Sequence, residues 1–118
     1  MVREIRQTDL QRYFSWVLES ISKLQQYSSW MTKEEFLDDE KTLDSCLMQL
    51  QHIGETIIQI NKYFPDIAFA EQEKIIGLRH YISHEYKHIR PSMIWFAIKE
   101  KIPILEKEIE KLYSTIML

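Results

Sequence analysis

Apolar residues recur at steps of three and four along most of this chain, and little interrupts them. Only 2 glycines and 3 prolines occur in 118 residues, so few positions force a helix to stop. From residue 8 to 27 the stripe is Leu10, Tyr13, Phe14, Val17, Leu18, Ile21 and Leu24. Thr8 or Asp9 is placed to cap its start. Residues 28–37 read as a connection with room for one short turn, because Thr32 and Glu35 have capping-box spacing.

A second stripe runs from about Asp38 to Tyr63 through Leu43, Leu47, Leu50, Ile53, Ile57 and Ile60. Gly54 lies inside it, where it costs about 1 kcal/mol relative to alanine. A glycine kept there points to a close approach of another helix. Phe64-Pro65-Asp66 ends this helix, since the residue before proline is pushed out of the α region. A third helix is expected from Phe69 or Ala70 to about Tyr86, with Ile75, Ile76, Leu78 and Ile82 facing the core. Arg90-Pro91-Ser92 makes the next break. The last stripe covers about Ser92 to Ile116, and Pro103 within it predicts a kink, or two helices, near Glu100–Lys101. No segment sustains an alternation of period two. The fold class is therefore all-α, an antiparallel bundle of four to five helices with short connections.

At this length a single domain spanning 1–118 is expected, small enough to gain from a partner subunit. The net charge of -3 argues against a protein that coats nucleic acid by electrostatics alone. One cysteine, Cys46, cannot close an internal disulfide. With no leader peptide read at the start, this points to a reducing, cytoplasmic setting. No apolar run approaches the roughly 20 residues of a membrane span.

Chemistry concentrates in Arg79-His80-Tyr81-Ile82-Ser83-His84-Glu85-Tyr86. Residues 79–90 carry Arg79, Lys87, Arg90, His80, His84 and His88 against one acid, Glu85. A guanidinium fork suits phosphate, and histidine moves protons near neutral pH. Together they are a minimal kit for metal-independent phosphodiester cleavage. On a straight helix Arg79, Ser83 and Tyr86 share a face, whereas His84 stands roughly 140° from Arg79. Either the helix ends or distorts near Ser83, or a second subunit completes the site. A two-fold axis beside this helix would gather two arginines and two histidines in one cleft.

Blander readings stand beside this one. Arg79 could form an ion pair with Glu55 or Glu85, His84 could be structural, and Tyr86 could pack at an interface. His80, His84 and His88 make an i, i+4, i+8 ladder, but no carboxylate or cysteine completes a metal set, so no metal or cofactor is expected. Glu55 reads as an oriented hydrogen-bond partner or a solvated charge. Tyr27, Trp30, Phe36 and Trp95 read as core or interface anchors, and the Lys/Glu-rich stretch 99–111 as a solvated face.

Arg79-x4-His84-x-Tyr86 resembles the signature of the HEPN superfamily, and specifically of HepT-like toxins. The resemblance covers essentially the whole chain. Leu50-Gln51-His52-Ile53-Gly54-Glu55 resembles the family's Ile-Gly-Glu segment, and Ile75-Ile76-Gly77-Leu78-Arg79 its run into the arginine. Ile94-Trp95 and Ile102-Pro103-Ile104-Leu105 resemble its C-terminal pattern. The family often has Asn where this chain has His80, and Trp where it has Phe69.

The resemblance implies a helical homodimer with the site at the dimer cleft, cleaving tRNA or mRNA. Arg79 and His84 would be catalytic; apart from the resemblance, His80, Ser83 and Lys87 are candidates for RNA contact or site support. It further implies a MntA-type nucleotidyltransferase antitoxin that transfers AMP to Tyr86. Added phosphate there would block or repel RNA. The rival from another class is a non-catalytic, substrate-binding partner subunit of a nucleotidyltransferase.

Overall fold

The computed structural model describes residues 7–116. It contains α1 (Gln7–Ser28), α2 (Lys33–Leu37), α3 (Glu40–Tyr63), α4 (Gln72–His84), α5 (Pro91–Phe96) and α6 (Ile102–Ile116). A π-helical turn, Ala97–Lys101, joins α5 to α6 in one rod, so there are four long rods plus the short α2. No strand occurs among the described residues. The all-α bundle expected from the periodicity is what forms. Nor is any described helix long and apolar enough to cross a membrane.

α1 lies against α3 and α6, and α3 also carries α4 on another face. The seam is filled by Phe14, Ile21, Leu24, Leu50, Ile53, Ile57, Ile82 and Leu105, all fully buried. Large-to-alanine changes at such positions typically cost about 2–5 kcal/mol. Cys46 lies in the same core, where burial pushes its thiol up to about 12.

Side chains set the helix starts. Thr32 and Glu35 form both halves of the capping box: the Glu35 N–H donates to Thr32 Oγ1 at 3.1 Å, and the Thr32 N–H to Glu35 Oε1 at 2.9 Å. Asp39 caps α3 by accepting from the Thr42 N–H at 2.9 Å. Thr8 and Asp9 do not cap α1. Both lie inside it, and Asp9 is buried and pairs with Arg12.

The third helix is shorter than expected at both ends. Its start moves to Gln72 because side chains take up the preceding donors. Gln72 Oε1 accepts from the Phe69 N–H at 2.9 Å, and the Glu108 carboxylate accepts from the Ala70 N–H. It ends at His84, and Tyr86–His88 form a 3₁₀ turn closed by the His88 N–H donating to the Glu85 carbonyl at 2.7 Å.

Two more expectations need correction. Phe36 is fully buried and meets Trp95 at a ring distance of 5.2 Å, but Trp30 is 70% exposed. It lies in the turn after α1, outside the bundle, so of the two readings, core or interface anchor, the core one is excluded. The stretch 99–111 is not simply solvated. Lys99 covers the Trp95 ring at 4.5 Å, Lys101 pairs with Glu71 at 3.5 Å, and Glu108 holds Ala70.

Candidate active site

α4 crosses α3 at Gly54. An alanine methyl built there would stand 2.8 Å from Arg79 Cβ, closer than side-chain atoms approach one another. The missing side chain therefore lets Arg79 lie directly on α3. One residue further on, Glu55 Oε2 accepts from the Arg79 guanidinium at 2.7 Å. Both residues remain partly open to solvent, so the pair positions the guanidinium more than it stabilises the fold. The ion pair weighed against Glu85 thus forms with Glu55.

The helices run antiparallel from this crossing. Gln51 Nε2 donates to Ser83 Oγ at 3.5 Å, a long contact one turn away. Beyond it, Tyr86 and Lys87 reach the start of α3 and line an open groove of about 620 Å³ with Asp38, Glu40 and Asp44. The local chain is basic, yet folding sets these two residues against acids. Tyr86 is 61% exposed.

α4 stays regular through His84, so Arg79 and His84 keep their separation of roughly 140° around the axis. Tyr86 has left the helix and does not share the face expected for it, because Glu85 is no longer helical. His80 and His84 stack with ring centroids 6.5 Å apart. His88 falls in the 3₁₀ turn, so the three-histidine ladder is broken. Among the described residues, no group of three or more His, Cys, Asp or Glu side chains is placed to hold a metal ion.

Tyr81 is a residue the sequence reading passed over. Its hydroxyl accepts from the Arg90 N–H at 3.0 Å, tying down the segment that carries Tyr86. A half-polar ring inside the motif, two residues after Arg79, was the available signal.

The model of the family described as "Ribonuclease HepT-like" matches residues 17–112, from the middle of α1 to near the end of α6. The chain belongs to that family. With the HepT-like family comes the enzyme class, an endoribonuclease. "Putative RNase MJ0127" of Methanocaldococcus jannaschii is 30% identical, over 92% of this chain and 90% of its own. "Putative RNase MJ1380" of the same organism is 26% identical, over 86% and 94%. "Probable ribonuclease HepT" of Thermococcus cleftensis is 29% identical, over 85% and 92%. No solved structure matches the chain.

Proposed function

We propose that the chain, as a single HepT-like unit, is the RNase toxin of a toxin–antitoxin pair. The observation that carries this reading is the seating of Arg79 against Gly54 and Glu55, with His84 exposed on the same helix. Cleavage would proceed by attack of the ribose 2′-oxygen on phosphorus. One histidine takes the 2′-hydroxyl proton, and the P–O5′ bond breaks. The departing oxygen gains a proton from a second histidine, leaving a cyclic phosphate and a free 5′-hydroxyl. Such transfers are typically worth about 10²–10⁴-fold each. Arg79 would hold the phosphorane's extra negative charge.

Because Arg79 and His84 diverge on one helix, a two-fold partner supplies the converging set in this reading. An apolar groove beside α4, with Gly77, Tyr81, Met93 and Phe96 among its walls, supports the dimer, since exposed apolar patches mark contact surfaces. Tyr86 would accept AMP from a MntA-type nucleotidyltransferase: its oxygen attacks the α-phosphorus of ATP and pyrophosphate leaves. Its exposure supports that role. In this reading His80, Ser83 and Lys87 would support the site or contact RNA, and the cytoplasm is the compartment this function needs.

The test is cleavage of total cellular RNA in EDTA by unmodified protein and by His84→Ala. Cutting that the variant loses supports the assignment. A wild-type protein that cuts nothing, with Tyr86 unmodified by mass spectrometry, moves the reading to the non-catalytic partner subunit. In that role the Arg79–Glu55 ion pair would be purely structural.

A further inference from the structure

Two polar side chains interrupt buried stripes. Ser20 falls among Val17, Ile21 and Leu24 of α1, and Gln49 among Cys46, Leu50 and Ile53 of α3. Ser20 is 8% exposed and Gln49 6%. Neither side chain hydrogen-bonds to any described residue, and neither has a polar atom both sealed from solvent and unpaired. Their polar atoms therefore open into the space above them. That space is a groove of about 390 Å³ between α1 and α3. Side chains this buried normally bond within the protein; these two face only the groove, so a molecule seated there would meet both.

The walls say which partner. Trp16 stands over the groove, 49% exposed. It meets Tyr13 in an edge arrangement, 64° between planes at 5.7 Å, and about half of its surface stays open to solvent. Lys23 is paired with Glu19 at 3.6 Å, and Glu19 and Glu55 both line the walls beside His52, so the acids disfavour a phosphate in the groove. Glu55 lines the same groove and also holds Arg79. Through Glu55 the groove is adjacent to the arginine assigned to the scissile phosphate, yet its walls are unsuited to phosphate itself.

We propose that this groove is a base-binding subsite for single-stranded RNA, taking an adenine close to the cleaved bond. The inference rests on the reading that the chain cleaves RNA. The base stacks on Trp16, and stacking is tolerant of sequence. Gln49 supplies the selection: a side-chain amide offers one acceptor and one donor side by side, matching the amino group and ring nitrogen of adenine. The Ser20 hydroxyl, in the wall of the same groove, is available for a further bond.

The experiment is cleavage of a random single-stranded RNA pool, with the ends sequenced, by wild type, Gln49→Leu and Gln49→Glu. Wild type is expected to favour adenine at one fixed position from the cut by about tenfold. Gln49→Leu should flatten that preference. Gln49→Glu presents acceptors only and should move it toward cytosine, whose amino group donates, an outcome misfolding cannot produce. A preference unchanged in both variants, or absent in a wild type that cuts, overturns the subsite alone. If wild type cuts nothing, the RNase reading fails, and tryptophan fluorescence judges the subsite separately. Quenching by poly(A) that is lost in Trp16→Phe supports it, and no quenching overturns it.

Discussion

Gly54 and Arg79 meet where α3 and α4 cross, with no room between them for a methyl group. The second helical glycine, Gly77, is its opposite, because a methyl there would touch nothing within 4 Å. Gly54→Ala should therefore destabilise by about 1–3 kcal/mol through overpacking. Gly77→Ala should stabilise by about 1 kcal/mol through helix propensity. Urea denaturation of the two variants checks this, and equal signs would refute it.

Arg79→Ala should lower kcat by about 10²–10³-fold, the usual loss when one charge-stabilising donor is removed. Glu55→Gln should lower kcat roughly 10- to 100-fold by loosening the guanidinium, because small misplacements are costly in a preorganised site. Tm should barely move, since the pair is partly solvated. Single-turnover rates beside melting curves separate positioning from folding. A Glu55→Gln protein as fast as wild type would show that Glu55 does not position Arg79.

Asp39 has its carboxyl held below the usual range, chiefly by the hydrogen bond from the Thr42 N–H at the start of α3. A carboxylate depressed in the folded state stabilises above its ordinary value of 3.8 and loses that stabilisation as pH falls through the lowered one. An asparagine side chain in its place would keep the hydrogen bond but lose the titrating negative charge at the helix start. Wild type should thus melt above Asp39→Asn at pH 7, with the gap closing below about pH 4. A pH-independent gap would contradict this.

Cys46 has the reverse sign. Burial raises its thiol from 9.0 to about 12, so the folded state favours the neutral form. Native protein should resist iodoacetamide at pH 8 and react in denaturant. The stability difference between wild type and Cys46→Ala should shrink as pH rises from 9 toward 12, because only the unfolded thiol ionises there. Rapid alkylation of the native protein would mean the thiol is reachable.

How much of this could be read from the residues depends on what each signal reports. Apolar spacing located the rods, and Thr32 with Glu35 located a cap, because both are local rules. Gly54 announced a close approach but not its partner, which lies 25 positions away in the chain. The end of α4 was harder, because no glycine or proline falls between His80 and Arg90. The stop comes from a 3₁₀ turn and from Tyr81 holding the Arg90 N–H. The acids facing Tyr86 are invisible in a linear charge count, since they come from the α2–α3 corner. Ser20 and Gln49 were passed over: each is one polar residue in an apolar stripe, and the groove they share exists only where α1 meets α3.

The π turn at Ala97–Lys101 has an evolutionary consequence. There the Ile102 N–H bonds five residues back to Ala97, and the ring of Pro103 follows directly. A turn of this kind holds one residue more than the α-helix around it requires. Removing a residue such as the exposed Glu100 should restore ordinary winding and leave the flanking rods facing as before. Relatives of this chain can therefore differ in length by one residue here without repacking the bundle.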